Sequence, residues 1–303
     1  MPTRALLIIN DKSRSGSSDI RNAIDRLKAR GVDILEGRPE RPDQTAALIL
    51  QHRADIDCVI IGGGDGSLNA AASALVETQL PLGVLPMGTA NDLARTLNIP
   101  TDIEQALDII ADGIMHRIDL GSVNDRYFFN VANIGLGVHV THNLSSDLKQ
   151  RWGIFSYARS LIKAIRTFQP FHAQITCDGR SRRVRTIQIA IGNGRHYGGG
   201  MTIAEHACID DGKFFLYSLE PLSLWEMLKF APAFRAGRFE QRDPVDLEHG
   251  CDIQITTRKR MPVTADGEPV TFTPAKFTLC AQAIDVFVPA SYFQIKEGLA
   301  HAA

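Results

Sequence analysis

Residues 57–76 read DCVIIGGGDGSLNAAASALV, and this stretch decides the fold of the chain. It predicts an apolar strand over residues 58–61, a glycine turn over 62–66, and an alanine-rich helix with its N-cap at Ser67. Between a strand end and a helix N-terminus, glycine N–H groups bind anions such as phosphate. A purely structural turn is the alternative. The embedded Asp65 favours a Mg-nucleotide site, because a bare phosphate cradle needs no carboxylate.

A second stretch repeats this strand–turn–helix pattern. Residues 82–85 predict a strand, 86–90 a turn, and 91–95 the start of a helix. Thr101 and Glu104 form a capping-box signature before a further helix. Other elements predicted in this half are strands over residues 5–10 and 32–35 and helices over 19–30, 44–52 and up to 110. This alternation predicts a mostly parallel, three-layer α/β domain with both glycine turns at the carboxyl ends of strands, where such sheets bind ligands.

After about Asp119 the sequence becomes rich in strands and turns. Strands are predicted over residues 127–131, 173–177, 184–191, 214–219, 253–257, 270–273 and 284–288, and a helix over 147–168. We therefore expect an α/β domain over residues 1–121 and a β-rich sandwich over 122–289. We expect the tail from about 290 to 303 to return to the first domain.

The composition is that of an ordinary globular protein, with 303 residues, 44% hydrophobic content and a formal net charge of −1. So small a net charge supplies no overall field for nucleic acid, so no nucleic-acid partner is expected. No apolar run approaches the roughly 20 residues of a membrane-spanning helix. The N-terminal residues lack signal-peptide features, and the five scattered cysteines indicate reduced thiols. A cytoplasmic location is expected.

Each glycine turn offers backbone donors, a hydroxyl group and one carboxylate, from Asp65 in the first turn and Asp92 in the second. Two such turns on neighbouring strands favour phosphoryl transfer, which depends on positioning and charge neutralisation. The sequence contains no Gly-x-x-x-x-Gly-Lys-Ser/Thr, which excludes a P-loop enzyme. No Gly-x-Gly-x-x-Gly follows the first strand, so a Rossmann dinucleotide site fits badly as well.

The chain resembles the diacylglycerol kinase catalytic family, and specifically the bacterial YegS-type lipid kinases. The resemblance covers about residues 10 to 270. It depends on both glycine turns and on four further motifs, FNVANIGLG at 129–137, GNG at 192–194 with GGG at 198–200, DDG at 210–212, and DGE at 266–268. Gly-Gly-Asp-Gly also occurs in NAD kinases and phosphofructokinases. The GTAND form at 88–92 and the late DGE are what indicate lipid kinases.

The resemblance implies a fold of the NAD kinase and phosphofructokinase type, with ATP between the two domains. It implies that Glu268 is the general base for a lipid hydroxyl, connected to Asp65 and Asp92 through Mg²⁺ or water. The residues that it assigns to nucleotide binding are Asn10, Lys12, Gly63, Gly64, Asp65, Gly66, Ser67, Leu68, Asn69, Gly88, Thr89 and Asn91. It also implies a separate structural Mg²⁺ held by Asp211 and by the backbone carbonyls of Cys208 and Lys213.

The same acidic motifs have simpler interpretations. Asp266-Gly267 is typical of a hairpin turn, with Glu268 as a solvated charge at a strand start. The stretch 210–212 is more often a plain turn than a metal loop. The chemistry nonetheless needs a carboxylate, because the pKa of an alcohol lies far above 7 and a base within hydrogen-bond reach helps the oxygen to attack.

Two basic segments are candidates for contact with membranes. The predicted helix 147–168 carries Trp152 and Phe155 among basic residues, as interfacial helices do, but a core helix with solvated flanks is the favoured interpretation. Residues 180–185 place four arginines beside a predicted turn at Asp178-Gly179. A solvated hairpin tip is the favoured interpretation there.

The hypothesis from the sequence is a cytoplasmic kinase that acts at a membrane surface, uses ATP and Mg²⁺, and phosphorylates a lipid such as diacylglycerol or phosphatidylglycerol. A homodimer is compatible with it. One alternative is a soluble-substrate kinase of the NAD kinase type, although the second turn lacks Asn-Asn-Glu. Another is a non-catalytic nucleotide-binding regulator, because Ala70 stands where these kinases usually carry Glu.

Overall fold

The computed structural model describes residues 4–10, 24–138, 168–238 and 245–294, together with residue 296. Its first half contains strands β1 (Arg4–Ile9), β2 (Asp33–Gly37), β3 (Cys58–Gly63) and β4 (Leu82–Pro86). The helices of this half are α1 (residues 24–29 in the described part), α2 (Thr45–His52), α3 (Asp65–Thr78), α4 (Asp92–Thr96) and α5 (Ile103–Asp112). Among the described residues, no helix is both long enough and apolar enough to span a bilayer.

These four strands form the predicted parallel sheet, in the order β2-β1-β3-β4. Strand β3 is buried along its whole length, as a strand covered on both faces should be. Strand β1 lies between β2 and β3 in the sheet, so the chain passes from β1 to a strand on one side and then to a strand on the other side. The carboxyl ends of β1 and β3 therefore flank the point at which the strand order reverses, where open α/β sheets bind ligands.

The second half contributes mostly antiparallel strands. They are β5 (Met115–Val123), β6 (Arg126–Phe128), β7 (Val131–Gly135), β8 (Phe171–Cys177), β9 (Arg180–Thr186), β10 (Gln188–Gly192), β11 (His196–Tyr197), β12 (Met201–Thr202), β13 (Phe214–Leu219), β14 (Val245–Gly250), β15 (Asp252–Thr257), β16 (Pro262–Ala265), β17 (Glu268–Phe272) and β18 (Ala275–Phe287). Helix α6 of this half spans Leu224–Ala236, and residues 136–138 and 291–294 are also helical.

A sandwich forms between two sheets, as the strand-rich pattern predicts. One is a six-stranded sheet of order β14-β13-β10-β7-β16-β17. The other is the outer part of the first sheet, which continues past β4 through β18, β15, β8 and β9. Apolar side chains from both sheets share one buried cluster, which includes Ile134, Ile175, Ile189 and Phe277. The parallel sheet and the sandwich therefore share the long strand β18.

Several local predictions are wrong in detail. Helix α3 begins at Asp65 with Gly64 as its N-cap, so Ser67 lies inside the first turn and is not the cap. Helix α5 is capped by Asp102, whose side chain accepts the N–H of Gln105 at 2.9 Å, so Thr101 is not the capping residue. In place of a side-chain cap, α3 has Asp65 in its first turn, where a negative charge interacts favourably with the helix dipole.

Two predicted strands are also broken. The strand predicted over residues 127–131 is divided between β6 and β7, because the N–H groups of Phe129 and Asn130 donate to a side chain instead of a strand partner. The strand predicted over 184–191 is divided between β9 and β10 at Ile187. Most of the helix predicted over residues 147–168 and the first part of the helix predicted over 19–30 lie outside the described residues.

The basic segment 180–185 forms β9 of a hairpin with β8. Asp178 and Gly179 have φ values of +44° and +83°, which fits the two-residue turn predicted there. Arg182 is paired with Glu248 at 3.1 Å and also with Asp246. The hairpin is therefore confirmed, but its tip is at Asp178-Gly179, and residues 180–185 form its second strand.

Candidate active site

The site begins where β1 and β3 end. The backbone N–H of Asn10 donates to the carbonyl of Gly62 at 2.9 Å. The Nδ2 atom of Asn10 donates to Oγ of Ser67 at 3.3 Å, which connects the loop after β1 to the first turn of α3. The end of the first strand and the first glycine turn thus lie side by side.

The two glycine turns touch each other through backbone atoms. A Cβ added to Gly88 would lie 2.4 Å from the Cα of Gly64, and one added to Gly64 would lie 3.1 Å from the Cα of Gly88. The contact between neighbouring turns therefore requires glycine at both positions. Asn91 supports the second turn, because its Oδ1 accepts the N–H of Gly88 at 2.9 Å and its Nδ2 donates to the carbonyl of Gly88 at 3.2 Å. Asn91 is itself buried, so its side chain braces the turn.

Asp65 joins the two turns a second time. It is the first residue of α3, and its Oδ1 accepts the backbone N–H of Leu93 in α4 at 3.2 Å. Burial is the main cause that raises the pKa values of Asp92 and Asp266, and the charge of Asp65 raises both further. Asp65 therefore interacts electrostatically with both Asp92 and Asp266.

Asp92 holds a loop of the sandwich half. Its carboxylate accepts the N–H of Gly199 at 3.0 and 3.1 Å and that of Gly200 at 3.1 Å. The two glycines have φ values of +85° and +108°, a conformation that side chains rarely adopt. Burial raises the pKa of Asp92 to about 6, and the charge of Asp65 acts in the same direction. The side chain thus fastens the Gly198-Gly199-Gly200 loop to the second glycine turn.

Asp266 plays the corresponding part within the sandwich. It lies in the predicted hairpin turn, with φ values of +47° for Asp266 and +88° for Gly267. Its carboxylate accepts three consecutive backbone N–H groups, those of Phe129 at 2.7 Å, Asn130 at 2.9 Å and Val131 at 3.0 Å. Burial is the main cause that raises the pKa of Asp266 to about 6.

Asn130 connects this turn to the α/β half. Its Oδ1 accepts the hydroxyl of Thr96 in α4 at 3.3 Å, and its carbonyl accepts the N–H groups of Asn193 and Gly194 at 2.7 and 3.0 Å. Asn193 in turn donates from Nδ2 to the carbonyls of Phe129 and Asp119. The glycine- and asparagine-rich motifs of the second half therefore form one hydrogen-bond network around the site.

Glu268 begins β17 and is exposed. Its Oε1 lies 3.6 Å from the position that a Cβ on Gly66 would occupy, which places the carboxylate beside the first turn of α3. The turn that Asp266 fastens to residues 129–131 fixes where Glu268 emerges. A carboxylate from the sandwich therefore lies next to the first glycine turn of the α/β half.

The remaining residues predicted for the nucleotide are placed as follows. Gly63 ends β3, and a Cβ there would lie 2.4 Å from Oγ of Ser67. Leu68 is buried in the core, and Thr89 is exposed on the second turn. Oδ1 of Asn69 is buried without a hydrogen-bond partner among the described residues. Lys12 lies outside the described residues.

The predicted metal loop is closed by Asp211. Its carboxylate accepts the N–H of Lys213 at 3.3 Å and that of Cys208 at 3.5 Å, so the three predicted residues are adjacent. Burial is the main cause that raises the pKa of Asp211 to about 6. Within the described ranges, no group of three His, Cys, Asp or Glu side chains is arranged to hold a metal ion. A cation here would depend on one carboxylate and on peptide carbonyls.

Sequence reasoning missed two roles of acids in this region. Asp119, which is 2% exposed, accepts the N–H groups of Gly212 at 2.8 Å and Gln282 at 2.7 Å, and so joins the metal loop to β18. Asp210 contacts both His116 and Lys296. These partners are all more than 80 positions away along the chain, so no local sequence pattern indicates them.

Comparison with known proteins identifies two matching families. The model of the diacylglycerol kinase catalytic domain matches residues 4–123, and that of the YegS C-terminal NAD kinase beta sandwich-like domain matches residues 131–288. The chain is 31% identical to a Klebsiella pneumoniae protein named "Probable lipid kinase YegS-like", over 94% of this chain and 96% of that protein. It is 33% identical to a Yersinia enterocolitica protein of the same name, with the same coverage.

Similarity extends to diacylglycerol kinases. The chain is 30% identical to a Staphylococcus aureus diacylglycerol kinase, over 95% of this chain and 93% of that one. A crystal structure of a diacylglycerol kinase from Bacillus anthracis superposes with a TM-score of 0.80 at 22% identity, covering 96% of this chain and 98% of that one. At that identity the superposition establishes the fold.

Proposed function

The chain belongs to the family of diacylglycerol kinases and YegS-like lipid kinases, and on this premise we propose that it transfers the γ-phosphoryl group of ATP to a lipid hydroxyl with the help of Mg²⁺. The enzyme is a phosphotransferase with an alcohol group as acceptor. Four features of the reaction are proposals: ATP as the phosphoryl donor, Mg²⁺ as the metal, Glu268 as the base, and a lipid as the acceptor. Diacylglycerol and phosphatidylglycerol are the candidate lipids.

The observation that carries the proposal is the position of Glu268. Its Oε1 lies 3.6 Å from the Cβ position of Gly66, so an exposed carboxylate of one half faces the anion-binding turn of the other. An acceptor hydroxyl between the two would lie within reach of Glu268 and of a phosphoryl group on the turn. Glu268 would accept the proton of that hydroxyl as its oxygen attacks phosphorus.

The glycine turns suit a polyphosphate only if its charge is neutralised. They present N–H groups, but the carboxylates of Asp65 and Glu268 lie at the first of these turns. Carboxylates beside phosphate oxygens repel each other, and in phosphoryl transfer a divalent cation offsets such charge. We propose that Asp65, at the N-terminus of α3, is the carboxylate nearest to that cation. When bound beside Asp65, Mg²⁺ would supply positive charge that offsets the negative charge of the phosphates in the transition state.

Asp92 and Asp266 act as positioning residues in this proposal. Both accept backbone N–H groups, Asp92 from the loop at Gly199 and Asp266 from residues 129–131, so neither is placed to take a proton from the acceptor. This refines the expectation that Asp92 belongs to the catalytic group. The loop at Asp211 would hold the separate structural cation, since a carboxylate and peptide carbonyls are the hard oxygen ligands that Mg²⁺ and Ca²⁺ prefer.

We further propose that the enzyme works at the cytoplasmic surface of a membrane, because its acceptor resides there. Trp225 in α6 is 76% exposed, and an exposed Trp suits the interface between lipid and water. The homodimer compatible with the sequence stays a prediction.

The test is phosphoryl transfer from γ-labelled ATP to a total lipid extract, with identification of the product. Glu268→Gln is expected to lower kcat by about 10² to 10⁴, the usual contribution of a general base, without changing Tm, because Glu268 is exposed. Glu220→Gln, at an exposed position after β13, is the matched control and should retain full turnover. If Glu268→Gln retains near wild-type turnover, Glu268 is not the general base.

The same assay separates the alternatives. Transfer to NAD with none to lipid would indicate a soluble-substrate kinase. Tight ATP binding with no transfer to any lipid would indicate a nucleotide-binding regulator, the alternative that Ala70 favours. In that case Ala70→Glu tests whether the missing carboxylate is the cause.

A further inference from the structure

Two adjoining cavities lie beside the candidate active site, between α4 and the loop at residues 195–200. The wider one has a volume of about 710 Å³ and is open, with apolar walls from Ile99, Pro100, Ile109 and Pro289. The narrower one has a volume of about 140 Å³. Both are lined by Arg95, Asn98 and His196, so the second extends from the first. Of the described residues predicted for the nucleotide, none lines either cavity.

The narrow cavity is surrounded by basic side chains. Arg95, Arg195, His196 and Lys296 line it, and no Asp or Glu among the described residues does. The one acid on the wider cavity, Asp108, is already paired with Arg26 and Arg30 at 3.0 and 2.8 Å. Lys296 contacts the buried Asp210 from one side. The cationic character of the cavity therefore depends mainly on the two arginines.

Two of these groups lack partners. Nε of Arg195 and Nδ1 of His196 are both buried, and among the described residues neither has a hydrogen-bond partner. Buried polar atoms are normally paired, and a buried N–H of a charged group without an acceptor is costly, although Arg195 as a whole is only half-buried. Burial is the main cause that lowers the pKa of His196 to about 4, and the charges of Arg195 and Arg95 lower it further. The partner that Nε of Arg195 lacks is an acceptor, because a guanidinium N–H can only donate.

The cavity is connected to the active site through two short paths. Thr96, which lines it, donates to Oδ1 of Asn130 at 3.3 Å and accepts the N–H of His196 at 3.2 Å. A Cβ on Gly200, whose N–H binds Asp92, would lie 3.8 Å from a terminal nitrogen of Arg95. A ligand in the cavity would thus touch both the α/β half and the loop that Asp92 holds.

We propose that the narrow cavity is a second anion site that binds a phosphate group, with the remainder of a larger ligand in the wider cleft. Its volume is about ten times that needed for one water molecule, which is enough for a phosphate. Arginine is the side chain best suited to phosphate oxygens, because its planar fork donates in pairs. The phosphate can be a free ion or the headgroup of a phospholipid, whose apolar part would lie along Ile99 and Pro289.

The experiment is calorimetric titration of the full chain with inorganic phosphate at low ionic strength, repeated with a non-hydrolysable ATP analogue that fills the glycine turns. Wild type is expected to bind one phosphate in the presence of the analogue, and to keep that binding event, with any additional binding at the glycine turns, in its absence. Arg195→Gln is expected to weaken this binding roughly tenfold or more, the usual effect of losing a charge-assisted hydrogen bond. Arg183→Gln, an exposed arginine of β9, carries the same change of charge and should bind like wild type.

Stability without phosphate separates a ligand site from a structural one. Because Nε of Arg195 has no partner in the described structure, Arg195→Gln should leave Tm unchanged or raise it, and phosphate should raise Tm only in proteins that bind it. If Arg195→Gln fails to fold, Arg95→Gln, at an exposed position, should weaken binding by roughly fivefold. The proposal is wrong if neither variant changes the affinity, or if the ATP analogue abolishes phosphate binding.

Vesicles distinguish the two sources of phosphate. The protein is sedimented with phosphatidylglycerol vesicles and with phosphatidylcholine vesicles. If Arg195→Gln binds either type of vesicle less than wild type does, and Arg183→Gln binds it equally well, a phospholipid headgroup occupies the cavity. Equal sedimentation of all variants, together with phosphate binding that depends on Arg195, supports a free phosphate.

Discussion

The α/β half and the sandwich half build the site in different ways. In the α/β half, two glycine turns are held by direct contact of their backbones at Gly64 and Gly88. In the sandwich half, the turn at Asp266-Gly267 is held by three hydrogen bonds to residues more than 130 positions earlier in the chain. The first arrangement depends on the absence of side chains, and the second on one carboxylate. The two halves should therefore fail differently when they are altered.

The largest expected effect is that of Gly88→Ala in the α/β half. The new Cβ would lie 2.4 Å from the Cα of Gly64 and 2.7 Å from Oδ1 of Asn91, and backbone atoms cannot move aside cheaply. Overpacking of this kind costs about 1–3 kcal/mol and occasionally more, so we expect a loss of about 3 kcal/mol in the free energy of urea unfolding, together with loss of nucleotide binding. Wild-type nucleotide affinity in the folded variant would show that the contact between the turns does not shape the site.

Asp266→Asn tests the carboxylate of the sandwich half. An amide offers one acceptor oxygen, so its NH₂ would face an N–H of residues 129–131, and an unsatisfied donor costs about 1–3 kcal/mol. We expect a loss of about 2 kcal/mol in the free energy of unfolding at pH 8. Asp125→Asn, in an exposed turn with positive φ, is the control and should change stability by less than about 0.5 kcal/mol.

The difference between wild type and Asp266→Asn should also depend on pH. Burial raises the pKa of Asp266 to about 6, so the folded protein binds this proton more tightly than the unfolded chain. Wild type then gains stability as the pH falls from about 6 to about 4 and loses it again as the pH rises, whereas Asn does not titrate. The loss caused by Asp266→Asn is therefore expected to be larger at pH 4 than at pH 8. An equal loss at both values would contradict the raised pKa.

The smallest expected effect on stability is that of Gly267→Ala. Among the described residues, no heavy atom lies within 4 Å of a Cβ at this position, but its φ is +88°. The cost is therefore conformational and about 1–2 kcal/mol, below that of Gly88→Ala. Gly179→Ala, with φ of +83° and equally open surroundings, should cost the same. Turnover should fall only in Gly267→Ala, because Glu268 follows it directly. A fall in both would mean that stability alone limits activity.

The two halves also differ in how far the sequence predicts them. The strand, turn and helix around Asp65 follow from glycine placement and apolar runs within 20 residues, and the structure contains all three. The role of Asp266 could not be predicted from its neighbours, because its partners begin at Phe129. The Asp266-Gly267 pair predicts the turn, which the positive φ values of both residues match, but it does not predict the bonds that the carboxylate makes.

Strand β18 shows the same limit. The sequence predicts a strand over residues 284–288, but β18 spans Ala275–Phe287. Its register against β5 shifts between Cys280 and Ile284, which interrupts the alternation of buried and exposed side chains that marks a strand. Its neighbours β4, β5 and β15 come from distant parts of the chain. Only this long-range pairing makes residues 275–283 a strand.

That shared strand has a consequence for how the protein comes apart. If residues 1–123 were produced alone, β4 would lose its neighbour β18 and become an open edge whose free backbone groups invite self-association. The sandwich alone would lose the surface against which Ile284 and Val286 are buried. Heating the whole chain should therefore produce a single cooperative melting step, although two separate family models describe it.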